Sequence, residues 1–336
     1  MIKRIGFACK WSEMSPKGVV AVPELNNSTT TVAWLKRQTR EVAEQKLWDL
    51  MTHNIRAVQN LIERVGALDE SLRMVRIGSD VLPVYTEPNF GYFYSDNAVR
   101  NFCEKAFSKI GDVARRNDVR LSFHPGQFTV LASDRPDVVE RSIEEFEYHV
   151  DMIRWMGYGV KFQDFKCNVH IAGRLGHEGI RSAYKKLSPE ARNTITIENE
   201  ENAHGLDDCL MLRDLLPIVL DIHHHWVREG EYISPSDDRV QMVSESWRDV
   251  RPVIHYSVSR EDYLDTHGRD VIPDMGMLLE SGHKKQKLRA HSDYYWNTAV
   301  NQWALGFLDN FDIMCESKAK NLASFALQKE LIQQSS

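Results

Sequence analysis

Cysteine is scarce in this 336-residue chain: Cys9, Cys103, Cys167, Cys209 and Cys315 are odd in number, and no two form a CxxC pair. Neither a disulfide framework nor a zinc ribbon is expected, and the five read as reduced, buried thiols of a cytoplasmic protein. No run of 18 apolar residues occurs, and Met1-Ile-Lys-Arg leads straight into a strand-like segment. A membrane span and a signal peptide are therefore not expected. Low-complexity tracts are missing, and so is an excess of positive charge. Forty-two Lys+Arg against 48 Asp+Glu give a formal net charge of −6. That excludes polyanion binding by bulk charge, although a locally basic groove can sit on an acidic protein. With 42% hydrophobic and 27% charged residues, the composition is that of a packed core and not of a disordered chain.

What the chain has in quantity is histidine, at 13 residues, and regular alternation. Short β-branched runs near 3–9, 73–79, 119–124, 166–171, 194–199, 218–222, 251–256 and 311–315 read as strands. Most are apolar on both faces, as buried parallel strands must be. Helical periodicity fills 31–65, 96–117, 136–157, 205–215 and 318–333, with a short helix expected within 174–191. Asp134-Arg-Pro-Asp137 is a helix start, with proline in the first turn and acid at the positive end of the dipole. Eight strands alternating with helices predict a single-domain α/β fold over 1–336, a (β/α)8 TIM barrel. The stretch 257–310 is too long for one connection, so 257–290 is read as an insertion on the seventh βα loop.

In such barrels the C-terminal strand ends converge on one face, where active sites are built. In chain order those ends carry His124, His170, Glu198, Asp221 with His224, His255, then His291 after the insertion, and Glu316 closing strand 8. One histidine at a strand end is ordinarily a hydrogen-bonding residue. Eight ligand-type residues at consecutive ends form a pattern. Three carboxylates crowded at low dielectric repel and do not all stay ionised. Divalent cations resolve that repulsion, and a mixed His/Asp/Glu shell suits zinc, manganese or iron. The run His223-His224-His225 leaves the choice of imidazole open. His53, His149, His177, His204, His267 and His283 fall on helices or loops and read as surface or packing residues.

One metal takes about three or four protein ligands. Glu198, Asp221, His255 and Glu316 would satisfy a single-metal sugar isomerase or epimerase. His124, His170, His224 and His291 are then in excess, but they provide for a second and a third ion. Clustered divalent ions suit phosphodiester hydrolysis. Beside them, Phe123-His-Pro-Gly-Gln-Phe128 sets Gln127 and Phe128 on a tight loop. An amide there can read base edges and a ring can fill a gap in a base stack, or Phe128 can simply pack on the barrel rim. Arg76, Lys161, Lys166, Lys185, Lys186 and the basic run 283–289 read either as a phosphate-contacting rim or as solvated surface.

These residues resemble the ultraviolet damage endonucleases, barrel enzymes similar to endonuclease IV, from about Arg4 to Ala323. The resemblance is carried in order by Arg76-Ile-Gly-Ser-Asp80, the segment 120–130, Asn168-Val-His170, Thr196-Ile-Glu-Asn-Glu200, Asp221-Ile-His-His-His225, Ile254-His255, His291-Ser-Asp-Tyr294 and the segment 312–320. It implies a metal-dependent nick on the 5′ side of pyrimidine dimers and related lesions in double-stranded DNA, leaving a 3′-hydroxyl and a 5′-phosphate. It implies the same eight ligands, with Glu198, His255 and Glu316 as the catalytic centre, and Gln127 and Phe128 as the pair that probes the lesion. Two or three divalent ions are implied, manganese first, with zinc or magnesium as alternatives. No obligate protein partner is evident. The chain departs from the family at Val253, where a carboxylated lysine is usual, at Glu87, where a histidine is common, and at Phe7 and Phe128, where tyrosine is usual. A DNA-damage binder with impaired catalysis stands as a further alternative.

Overall fold

A computed structural model describes residues 2–334. Eight strands close into one parallel barrel: β1 (Ile5–Cys9), β2 (Met74–Ile77), β3 (Arg120–Phe123), β4 (Lys166–His170), β5 (Ile195–Glu198), β6 (Ile218–Asp221), β7 (Val253–Tyr256) and β8 (Asp312–Cys315). The barrel shuts where Phe7 of β1 pairs with Cys315 of β8 on one side and with Val75 of β2 on the other. All eight expected strands are present. Gly6 lets β1 and β2 approach, since a Cβ there would stand 2.5 Å from the Met74 carbonyl oxygen.

Register then fixes the height of the strand ends. His170 pairs with Glu198 and Asp221 with His255, while Glu198 itself pairs with Val219, two residues before Asp221, so ligand-type residues of four neighbouring strands end at the barrel mouth in a staggered row. Beneath them Ala8, Met74, Val219, Val253 and Met314 pack with Trp247 in an apolar cluster of their own. The larger core fills the space between the barrel and its helices.

The pattern over 31–65 forms two helices, Val32–Leu35 and Arg40–Gly66, because Thr39 caps the second through its side chain. Asn97–Arg116 and Pro136–Trp155 follow the expected periodicity, the latter with Pro136 and Asp137 in its first turn. Between β4 and β5 stand two short helices, Gly176–Tyr184 and Pro189–Thr194. A hairpin of Ser12–Ser15 and Gly18–Ala21 follows β1, which the periodicity did not predict. After β7 the chain makes its long excursion through the helices Met275–Glu280 and Lys285–Leu288. It returns with His291 bridged antiparallel to Ser259, and the helix Thr298–Leu305 then leads towards β8. Among the described residues, no helix is long and apolar enough to cross a membrane.

Candidate metal centre and active site

Glu198, the last residue of β5, is fully buried at the centre of the barrel mouth. One carboxylate oxygen faces His124 Nε2 at 3.2 Å and His170 Nε2 at 3.7 Å. The other faces His255 Nδ1 at 3.1 Å and His224 Nδ1 at 3.7 Å. His255 Nδ1 also lies 3.3 Å from Glu316. Two groups result whose ligand atoms all fall within 4.8 Å of one another: His124, His170 and Glu198, and Glu198, Asp221 and His255. Glu198 belongs to both. In the second group Glu198 Oε1, Asp221 Oδ2 and His255 Nδ1 are all buried without a hydrogen-bond partner. Native interiors rarely leave one such atom unsatisfied, and here three converge. Hard carboxylate oxygens beside imidazole nitrogens are the donors that divalent ions take.

The supporting bonds are cross-strand. Thr196 Oγ1 donates to Asn168 Oδ1 at 2.7 Å, and the Asn168 amide in turn donates to Glu198. His124 Nδ1 faces the Pro125 carbonyl at 2.9 Å, which turns Nε2 towards Glu198. Asp221 Oδ1 accepts from the backbone N–H of His223 and of His224 at 2.8 and 2.7 Å and so caps the helix Ile222–Glu229. That turn selects among the three adjacent histidines. His224 faces the basin, 3.8 Å from Asp221, whereas His223 stacks on Trp226 and His225 pairs with Glu231 at 3.1 Å. His291 packs edge-on against His223, with ring centroids 5.9 Å apart, and stands outside the two close groups. Glu201 went unread in the sequence although it follows Glu198 by three residues. It sits 3.7 Å from His224 Nε2 and accepts from Arg289 at 3.0 Å, tying the excursion to the mouth.

A cleft of about 320 Å³ opens beside the basin, lined among others by His124, Gln127, Phe128, His170, His224 and Arg289. Phe128 is 85% exposed, so packing on the rim does not account for it. The expected basic rim is different in fact. Arg76 is inside the mouth, paired with Glu316, and Lys166 is inside the barrel, 3% exposed. Lys161 lies in the turn before β4, and Lys185 and Lys186 follow the helix Gly176–Tyr184. Those connections belong to the opposite end of the barrel, because helices run back antiparallel to the strands. Of that set, Arg289 reaches the cleft. Glu87 accepts from the backbone N–H and side-chain amide of Asn89, both at 2.7 Å, in the loop after β2. It lies in neither ligand group.

Burial and neighbouring charge compete at each group of the centre. Burial pushes the Glu198 carboxyl up, but the facing imidazoles of His255 and His170 outweigh it and hold Glu198 well below the usual range. Burial raises Asp221 well above its ordinary value against the pull of His224, with Glu198 and Glu316 adding repulsion. The Glu316 carboxyl, despite burial, is held down by Arg76 and His255. Burial lowers His170 and His255 to about 4, and lowers Lys166 to about 7 against the attraction of Glu198. His224 is raised to about 9, because Asp221, Glu198 and Glu201 overcome its burial.

His149, away from the centre, is also lowered by burial from 6.5 to about 4. Below pH 6.5 an unfolded chain takes up protons that folded His149, His170 and His255 refuse. The metal-free protein is therefore expected to lose stability as pH falls from 6.5 towards 4, by roughly 3 kcal/mol for His149 alone. Urea melts in chelator at pH 7 and pH 4.5 check this, and equal midpoints would contradict it.

A model of the family described as UV-endonuclease UvdE matches residues 3–336. A UV DNA damage endonuclease of Bacillus cereus (strain B4264) is 25% identical over 315 residues, covering 90% of this chain and 88% of its own length. Among solved structures, SacUVDE superposes with a TM-score of 0.73 at 22% identity, covering 99% of both chains. Endonuclease IV from Thermus thermophilus gives a TM-score of 0.52 at 14% identity, over 82% of this chain and 94% of the other.

Proposed function

The chain belongs to the UV-endonuclease UvdE family, and we propose that it nicks double-stranded DNA on the 5′ side of ultraviolet photoproducts, leaving a 3′-hydroxyl and a 5′-phosphate. In this reading His124, His170, Glu198, Asp221, His224, His255, His291 and Glu316 hold two or three divalent ions, manganese first among them. The observation that carries it is the convergence of three unsatisfied buried ligand atoms, from Glu198, Asp221 and His255.

Bound divalent ions supply Lewis acidity, which activates water and offsets charge on the phosphate. The chain's own residues do the rest. Glu198 is common to both donor groups, and the Thr196–Asn168 chain fixes its plane. Arg76 holds Glu316 against the centre, 3.3 Å from His255. Gln127 and the exposed Phe128 meet the lesion, whose bases cost less to unstack than intact ones. Val253 and Glu87 supply no ligand, so the eight residues named above must suffice. A single-metal sugar isomerase would need a closed pocket and would give Phe128 no role. This cleft is open and Phe128 projects beside it.

The test is nicking of an end-labelled duplex carrying one thymine dimer, with manganese and with chelator, beside an undamaged duplex. A cut immediately 5′ of the dimer, lost in chelator, is expected. Tight lesion binding without a cut would overturn the assignment in favour of an impaired binder. In the same assay Phe128→Ala is expected to reduce selectivity for the damaged duplex about 5- to 150-fold, the equivalent of roughly 1–3 kcal/mol of stacking. Equal losses on both duplexes would remove the stacking role.

A further inference from the structure

Lys166 opens β4, lies inside the barrel at 3% exposure, and brings its Nζ to 2.8 Å from His255 Nε2. β5 and β6 stand between β4 and β7, so the side chain crosses the interior to reach that ring. A lysine buried this way costs several kcal/mol unless its amine is engaged. The residue two below His255 on its own strand is Val253, packed among Ala8, Met74, Val219 and Met314. The other ring nitrogen, Nδ1, is the one that faces Glu198 and Glu316.

We propose that Lys166 is a positioning residue of the metal centre: by engaging Nε2 across the barrel, it holds His255 in the ring orientation that presents Nδ1 to Glu198 and Glu316. A ligating imidazole keeps its orientation through a partner on its other nitrogen, and loss of such a partner typically costs 10–100-fold in metal affinity. That partner is usually a carboxylate, a carbonyl or a water that accepts from the ring N–H; here the Lys166 amine accepts from Nε2–H in its unprotonated form, because an ammonium has no lone pair to offer. The inference rests on the metal reading above.

Titration of chelator-stripped full-length protein with manganese chloride, followed by calorimetry, separates the two. Lys166→Met is expected to weaken the tightest manganese site 10- to 100-fold. In a His255→Gln background the same change is expected to have no further effect, because Lys166 would act through that ring. Affinity of Lys166→Met within twofold of the parent would overturn the inference and leave the metal reading standing. So would an equal further loss in the His255→Gln background. A parent protein that takes up no manganese would overturn the metal reading itself. Should Lys166→Met fold poorly, nitrogen NMR of the histidine-labelled parent loaded with zinc chloride gives the same decision. His255 ligating through Nδ1 supports the inference, and ligation through Nε2 overturns it.

Discussion

Glu198→Gln is expected to abolish nicking, with a loss on the order of 1,000-fold or more at saturating manganese. Each Glu198 oxygen faces two imidazoles, His124 and His170 on one side, His255 and His224 on the other. Glutamine keeps the volume, so the barrel mouth stays packed, but it offers one acceptor where two are used. If its oxygen accepts from Asn168, its amide hydrogens point at His255 Nδ1, and a donor occupies the place where a ligand atom is required. If the amide turns the other way, it meets the Asn168 donor. Either orientation removes a negative charge from both donor groups at once. Single-turnover nicking of the dimer duplex measures the loss, and circular dichroism confirms the fold. Retained lesion binding would show that the loop bearing Gln127 and Phe128 works independently of the centre. Parental rates would remove Glu198 from the site and with it the metal assignment.

The fold was legible because parallel barrel strands are buried on both faces and therefore appear as continuous apolar runs, as in Ile218–Asp221. The ligand-type residues were legible for a related reason: a barrel brings strand ends together whatever the helices do, so position along the chain stands in for position in space. What escaped was whatever depends on side-chain reach. Lys166 and Arg76 were read as surface cations because lysine and arginine are almost never fully buried without partners. Their partners, His255 and Glu316, lie 89 and 240 residues away. Asn168 and Thr196 stand inside the motifs, but the relay from Thr196 through Asn168 to Glu198 depends on the register between β4 and β5, which sequence does not display. The hairpin after β1 was missed because two strands of four residues, mostly facing solvent, carry little hydrophobic signal.

The run His223-His224-His225 is the sharpest case of that limit, and it yields the second large expected effect. His224→Ala is expected to lower nicking more than 100-fold, while His223→Ala and His225→Ala stay within about tenfold of the parent. Adjacent helical residues point about 100° apart, because a turn takes 3.6 residues. The Asp221 cap sets where that rotation starts. It leaves His224 facing Glu198, Asp221 and Glu201. His223 is turned under the excursion, against Trp226 and His291, and its loss should appear as roughly 3 kcal/mol of stability, as for a buried ring. His225 is turned towards Glu231. Nicking rates and urea midpoints measured on all three variants separate the two kinds of damage. A loss for His223→Ala as deep as that for His224→Ala, at an unchanged urea midpoint, would mean that the helix starts one residue out of phase and that the wrong imidazole has been placed in the basin. Because Asp221 supplies both the cap and a facing carboxylate, the same carboxyl group decides which histidine joins the centre and stands beside it there.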